Sequence, residues 1–142
     1  MFSKACEYGI RAMLHIAHKS QNHERVGVKD IAKEIDSPEA FTGKIMQQLS
    51  KSGLVQSIKG PNGGFWISDD DRANINLRQI VEVLDGDQIY VGCGLGLRQC
   101  NDAKPCPMHH QYMPVRKALV KIHTETSLDE LATKLDGIAT LK

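Results

Sequence analysis

The chain has 142 residues, of which 41% are hydrophobic, and a formal net charge of +1, which fits one compact domain or one domain with an extension. No stretch approaches the roughly 18 unbroken apolar residues of a membrane span, and residues 1–7 carry charges where a secretory signal needs an apolar core. We therefore expect a cytoplasmic protein without membrane contact, in which clustered cysteines favour metal or redox chemistry over structural disulfides.

The charge is distributed unevenly along the chain. Residues 1–68 contain nine Lys/Arg against six Asp/Glu, a net charge of +3, whereas residues 69–142 contain nine against eleven, a net charge of −2. A mildly basic N-terminal half fits contact with the phosphates of a nucleic acid.

Apolar residues at helical spacing predict three helices in the N-terminal half. The first covers residues 4–19 and the second covers residues 28–35. The triplet that follows has the pattern of a helix start, with Ser37 as N-cap, Pro38 at the first helical position and Glu39 favourable to the helix dipole. A short helix, a tight turn and another helix indicate a helix-turn-helix.

The segment after the third helix predicts a β-hairpin. Residues 54–58 alternate roughly as a strand does, and residues 65–67 are strand-forming. Residues 59–64 form a turn-rich tip between them. Three helices followed by a hairpin make a winged helix, and we expect the acidic residues 69–71 to close the wing as a solvated turn.

Three helix starts are predicted in the C-terminal half, one before the cysteine-rich loop and two after it. Asn76 should cap a helix over residues 77–84, with Gln79 completing a pair that resembles a capping box. Pro114 is compatible with a later helix only in its first turn, so that helix should begin near Pro114. Ser127 should start a last short helix. The later helix has one narrow apolar stripe, formed by Tyr112, Val115, Leu119 and Ile122.

A single apolar stripe on an otherwise polar helix suits a seam between two chains. The predicted fold class is therefore mainly α with a small β-hairpin. A winged helix-turn-helix would occupy residues 1–72. Residues 73–142 would hold a long C-terminal dimerisation helix, its shorter neighbours and the cysteine-rich loop at about 92–110.

Three of the four cysteines, Cys93, Cys100 and Cys106, fall within fourteen residues, in a loop where glycines and prolines prevent regular structure. His109 follows three residues later. Thiolates bind the soft iron of an iron–sulfur cluster, and the same four residues would equally make a Cys₃His zinc site. The third alternative is unliganded thiols, with or without redox sensing. Zinc sites usually pair cysteines two to four residues apart, so the spacing favours the cluster.

The third helix is expected to bury Phe41, Ile45 and Leu49, which leaves its other sides for DNA. Glutamine can bond adenine bidentately in the major groove, whereas lysine mostly contacts phosphates. A narrow glycine-rich wing tip suits the minor groove. The residues predicted to contact DNA are Ser37, Glu39, Thr42, Lys44, Gln47, Gln48 and Lys51 on the helix and Lys59 and Asn62 on the wing.

Residues 51–55, the wing at residues 59–65 and the three late cysteines resemble the bacterial winged-helix family of IscR and NsrR, which are iron–sulfur cluster-binding regulators. The resemblance covers nearly the whole chain. It implies a homodimer crossed through the long C-terminal helix, and a cluster whose state controls affinity for a double-stranded DNA operator. A 2Fe–2S cluster is favoured, with a 4Fe–4S cluster as the alternative.

The same resemblance implies the cluster ligands. Cys93, Cys100 and Cys106 match the three ligand cysteines, and His109 stands where IscR-type chains complete the set. In some NsrR-type members the fourth ligand is instead a carboxylate in the first helix of the partner subunit, and Glu7 is the nearest match to that position. Six residues separate the first two ligand cysteines, one more than is common in IscR-type chains.

An enzyme that uses the cysteines as a dithiol is the rival class. The chain has no Cys-x-x-Cys, no Gly-rich nucleotide loop after a strand and no paired carboxylates in a plausible cleft. We therefore expect a non-enzymatic, sequence-specific transcriptional regulator that senses iron–sulfur status, redox stress or nitric oxide. A cluster-free thiol/disulfide sensor or a zinc-containing regulator of the same fold is the alternative.

Overall fold

The structure is a computed structural model of the chain and describes residues 1–136 and 140–142. In these ranges the chain forms eight helices and one two-stranded antiparallel hairpin, which confirms the expected fold class. No helix there has the length and apolar character to span a bilayer. The elements are α1 (Lys4–Ser20), α2 (Val28–Ile35), α3 (Glu39–Lys51), β1 (Gln56–Ile58), β2 (Gly64–Trp66), α4 (Asp69–Asn74), α5 (Leu77–Asp85), α6 (Gln88–Val91), α7 (His109–Glu125) and α8 (Leu128–Lys134).

Two predicted helix starts are confirmed by their capping hydrogen bonds. The Asn76 side chain accepts from the Gln79 backbone N–H, and the Gln79 side chain accepts from the Asn76 N–H, so α5 begins with a complete capping box. The Ser127 hydroxyl accepts from the backbone N–H of Glu130 at the start of α8.

The prediction that Ser37 caps α3 is wrong. Pro38 occupies the N-cap position and α3 begins at Glu39. The Ser37 hydroxyl hydrogen-bonds the Thr42 hydroxyl instead of a backbone N–H of the first turn. The left-handed backbone of Asp36, with φ of 54°, ends α2 just before this turn.

The helix that carries the predicted seam begins earlier than the proline suggested. α7 starts at His109, and Pro114 lies inside it. Met108 completes the first turn as the N-cap residue, since its carbonyl accepts from the Tyr112 N–H at 2.9 Å. Pro114 removes one backbone donor from the following turn, and the helix tolerates that loss.

Two further differences between the structure and the sequence-based predictions concern short helices. Residues 69–71 form the first turn of α4, because the Ser68 hydroxyl caps it by accepting from the Asp71 N–H at 3.2 Å. Three carboxylates at a helix N-terminus are favourable to the helix dipole, so the acidic triplet is helical and not a solvated turn. The four-residue α6 was not predicted.

One hydrophobic core joins the N-terminal head to the C-terminal helices. Its fully buried side chains come from α1, α2, α3, α5 and α8, including Met13, Ile35, Leu49, Ile80 and Leu128. The division expected at residue 72 therefore does not separate two hydrophobic cores.

Polar contacts reinforce this junction. The buried Arg72 donates to Asp129 at 3.1 Å and to Asp69 at 2.7 Å. The backbone N–H of Leu128 also bonds the carbonyl oxygen of Ile75 at 2.9 Å. These bonds hold α8 against the segment that leads out of the wing.

A smaller cluster positions the two helices that flank the cysteine loop. Cys6 of α1, Val81 of α5 and Tyr90 of α6 are buried together. The Tyr90 hydroxyl lies 2.7 Å from Nδ1 of His123 in α7. Burial lowers the pKa of His123 and raises that of Tyr90 to about 12, so the pair is neutral. The loop thus runs between two helices with a fixed separation.

Candidate functional site: a cysteine loop and a winged DNA-binding face

The four predicted cluster ligands lie in two close pairs. The Sγ atoms of Cys93 and Cys106 are 3.6 Å apart, and Cys100 Sγ is 3.6 Å from Nδ1 of His109. Two thiolates on one tetrahedral ion, each about 2.3 Å from it, stand about 3.8 Å apart. Each pair therefore has the separation expected of two ligands on one ion.

The two pairs do not converge on a single point. Among residues 1–136 and 140–142, no group of three or more His, Cys, Asp or Glu side chains is arranged to hold one metal ion. Within the described residues, the four donors thus form two pairs and not one four-ligand site.

Close packing brings the loop onto the start of α7. A Cβ atom on Gly94 would lie 2.7 Å from the Tyr112 ring and 2.9 Å from Met108 Cε, so only glycine fits there. The His109 N–H donates to the Cys106 carbonyl at 3.0 Å. These contacts fix the last cysteine and the histidine relative to the loop.

Local hydrogen bonds act on two of the predicted ligand side chains, Cys93 and His109. The Leu95 N–H donates to Cys93 Sγ at 3.4 Å, and backbone donors from Leu95 and Leu97 lower the pKa of the Cys93 thiol. His109 is buried, and its Nε2 lies 2.6 Å from Asp102 Oδ1. A proton on Nε2 that is shared with this carboxylate leaves Nδ1, which faces Cys100, free to bind a metal ion.

The alternative fourth ligand, Glu7, and the remaining cysteine, Cys6, lie elsewhere in the fold. Glu7 is on the surface of α1, where its carboxylate pairs with Lys4 at 3.2 Å. Cys6 is fully buried, and burial, helped by the carboxylate of Asp85, raises the pKa of its thiol to about 12. Cys6 therefore stays a packed thiol. Within one chain, the structure brings His109 to the cysteines and leaves Glu7 on another surface.

A groove of about 530 Å³ runs between α3 and the wing. Lys44 and Gln47 of α3 line one side of it, and Lys59 lines the other. Three predicted DNA contacts thus share one surface, although residues 44 and 59 are far apart in the sequence. Of the other predicted contacts, Glu39, Gln48, Lys51 and Asn62 are exposed but do not line the groove, and Ser37 is half-buried.

Thr42 does not belong to this surface. Its side chain is fully buried, and its hydroxyl donates to the Pro38 carbonyl at 2.9 Å. We therefore remove Thr42 from the set of DNA-contact candidates. Helical periodicity placed Thr42 on an exposed side of α3 because Phe41 was assigned to the buried side. In the structure, Phe41 is only half-buried and Met46 is fully buried.

Arg25 is a candidate contact that the sequence did not single out. Its guanidinium lies 4.7 Å from the centre of the Trp66 ring, and Nη1 is 3.4 Å from the Asn62 carbonyl. An antiparallel bridge between Val26 and Phe65 brings this exposed residue to the wing. Arg25 lies in a polar linker, and no local sequence signal predicts the bridge.

Comparisons with known proteins identify the fold and the family of the chain. The chain is 31% identical over 134 residues to an HTH-type transcriptional regulator of Aquifex aeolicus, with 92% of this chain and 90% of that protein covered. Its fold is similar to that of CymR, the global cysteine regulator of B. subtilis, with a TM-score of 0.77, 24% identity and coverage of 94% and 97%. T. potens IscR gives a TM-score of 0.74 at 20% identity, with coverage of 100% and 93%.

The sequence model of the Rrf2 family, described as iron-dependent transcriptional regulators, matches residues 2–134. This confirms the resemblance recognised from the wing and the late cysteines. The match includes the winged head, the cysteine loop and α7, so it is not confined to the helix-turn-helix. The chain belongs to the Rrf2 family of transcriptional regulators.

Proposed function

We propose that this chain is a homodimeric, cytoplasmic regulator whose affinity for operator DNA is controlled by an iron–sulfur cluster. Cys93, Cys100, Cys106 and His109 would hold the cluster. The single observation that supports this best is the pairing of the four donors, each pair 3.6 Å apart.

The pairing favours a 2Fe–2S cluster. Each iron of such a cluster takes two protein ligands, so Cys93 and Cys106 would serve one iron while Cys100 and His109 serve the other. Mixed thiolate and imidazole ligands suit iron–sulfur centres, and imidazole raises their reduction potential. A zinc ion would need its four ligands around one point.

The ligand side chains connect the loop to the rest of the molecule. A bound cluster supplies a chemical state that changes with electrons, oxidants or nitric oxide. The four side chains that hold it impose order on residues 92–110, since they span almost the whole loop. His109 is itself the first residue of α7, so the order of the loop extends directly into the helix proposed to join two chains.

For DNA, we propose that α3 enters the major groove and that the narrow wing tip approaches the adjacent minor groove. Gln47 would read a base edge, and Lys44 and Lys59 would contact phosphates from opposite sides of the groove that they share. Arg25 adds a further positive charge beside the wing. Two such heads in a dimer would meet half-sites about 34 Å apart, or a multiple of that distance.

An anaerobic metal and sulfide analysis tests the cluster. The wild-type chain should contain iron and sulfide with visible absorption, and Cys93→Ala, Cys100→Ala and Cys106→Ala should each abolish them. Cys6→Ala is the matched control and should keep the full complement, because the Cys6 thiol is buried in the hydrophobic cluster with Val81 and Tyr90.

Other outcomes point to defined alternatives. Zinc without sulfide would indicate the zinc-containing regulator. A metal-free protein that forms a Cys93–Cys106 disulfide with a mild oxidant would indicate thiol sensing. Either result would contradict the proposed cluster. For the fourth ligand, a cluster lost in Glu7→Ala and retained in His109→Ala would contradict the choice of His109.

A further inference from the structure

Arg116 of α7 contacts both the cysteine loop and the end of α6. Its Nη1 lies 2.7 Å from the Gly92 carbonyl oxygen, 3.0 Å from the Val91 carbonyl oxygen and 3.1 Å from Cys100 Sγ. Nη2 lies 2.9 Å from Sδ of Met113. One half-buried guanidinium thus joins α7, the last residues of α6 and a proposed cluster ligand.

The chemistry of this contact is specific to arginine. A guanidinium stays positively charged at every physiological pH and offers several N–H donors in a fixed plane. A cysteine that ligates iron is a thiolate, which accepts such donors in charge-assisted hydrogen bonds. Hydrogen bonds to the sulfurs and net charge are two of the factors that set the reduction potential of an iron–sulfur centre.

We propose that Arg116 is a positioning residue that fixes Cys100 against the end of α6 and raises the reduction potential of the cluster. This inference rests on the proposed function. The reduced centre carries one more negative charge than the oxidised centre, so a cation 3.1 Å from a ligand sulfur stabilises the reduced form more than the oxidised form. The carbonyl contacts hold the guanidinium in place without neutralising it.

The next residue along α7 provides a matched control. Lys117 carries the same charge as Arg116 but lies on the exposed side of the helix. Replacing either residue with Gln changes the net charge of the chain equally. A difference between Arg116→Gln and Lys117→Gln therefore reports the local contact with Cys100 and not the total charge.

The test is an anaerobic redox titration of the full-length, cluster-loaded protein, followed by its visible absorption. Arg116→Gln should shift the reduction equilibrium roughly tenfold toward the oxidised form, which is about 59 mV for a one-electron couple. Lys117→Gln should keep the wild-type potential. Arg116→Lys keeps the positive charge but lacks the planar guanidinium with its several N–H donors. Its potential should therefore fall between the wild-type value and that of Arg116→Gln.

The other possible results distinguish a failure of the role proposed for Arg116 from a failure of the proposed cluster. Arg116→Gln with the wild-type potential, or Arg116→Lys with the potential of Arg116→Gln, would overturn the electrostatic role and leave the proposed function intact. If Arg116→Gln loses its iron while Lys117→Gln retains it, the positioning role is supported and Arg116→Lys decides the electrostatic one. A wild-type protein without iron and sulfide would overturn both proposals.

Discussion

The side chains of α3 and the wing that we propose to contact DNA differ in their chemistry. Gln47 and Lys59 line the groove between these elements, whereas Gln48 and Lys51 are exposed outside it. A glutamine amide can recognise a base edge, while a lysine ammonium neutralises a phosphate of any sequence. Replacing them should therefore affect specificity and overall affinity separately.

We expect Gln47→Ala to lose about 1–3 kcal/mol of discrimination between operator and random DNA, and Gln48→Ala to lose less. Lys59→Ala should weaken binding to both DNAs and reduce the slope of log K against log salt by about 0.9. Salt titrations of operator and random-sequence binding measure both effects, with Lys121→Ala on α7 as the control. Unchanged specificity in Gln47→Ala together with an unchanged slope in Lys59→Ala would place the DNA-binding surface elsewhere.

Single residues also show where sequence reasoning stops. The glutamines and lysines of α3 were found because helical periodicity separates apolar from polar faces. Thr42 was misplaced because a threonine is compatible with either face, and its burial depends on the local bond to Pro38. Arg25 was missed because only the bridge between Val26 and Phe65 carries it to the wing.

At the scale of elements, the stability of the wing depends on how closely the backbone at its base packs against the segment before α2. Gly64 has φ of +135°, and a Cβ atom there would lie 2.9 Å from the Val26 carbonyl oxygen. Gly60 at the tip has φ of +110° with open space around it. Both positions strain an L-residue, but only position 64 adds a backbone collision.

Gly60→Ala should therefore cost about 1–3 kcal/mol of stability from backbone strain alone. Gly64→Ala should cost about 1–3 kcal/mol more because of the collision, and it should weaken the Val26–Phe65 bridge. Urea unfolding of the two variants measures the difference. Equal losses of stability would show that the close approach to Val26 contributes nothing.

The elements that the sequence predicted well have signals within a few residues of each other. The capping box of α5 is complete in four consecutive residues, and the hairpin is marked by its glycine-rich tip. The start of α7 was misjudged because Pro114 is a strong local stop signal, whereas the loop contacts of Met108 and Tyr112 that extend the helix are formed by tertiary packing. The pairing of the four proposed cluster ligands likewise depends on the folded loop and not on any local sequence signal.

For the whole molecule, α7 presents an apolar face that one chain leaves exposed. Val115 is 61% exposed and Ile122 is 57% exposed, and the exposed Ala118 lies between them on the same side of the helix. Leu119, also in the predicted stripe, packs instead against the cluster around Tyr90. We propose that the exposed face forms the seam between two chains.

Val115→Asp or Ile122→Asp should each separate the dimer, because burying an unpaired carboxylate costs about 3 kcal/mol or more. That cost corresponds to a rise of roughly a hundredfold in the dimer Kd. Sedimentation equilibrium over a range of concentrations measures the change. Thr124→Asp adds the same charge on another exposed side of α7 and should leave the mass unchanged. A wild-type chain that sediments as a monomer would contradict the proposed seam.

The order in which the chain is synthesised has a consequence for the shared core. The apolar side of α1 belongs to a core that Leu128 of α8 helps to fill. The buried Arg72 donates to Asp129 of α8, which is synthesised later. A nascent chain that ends before α8 therefore has a complete set of head helices but an open core. We expect the head to become resistant to proteolysis only after α8 has left the ribosome, so that the winged head becomes stable only when the cysteine loop and α7 are already made.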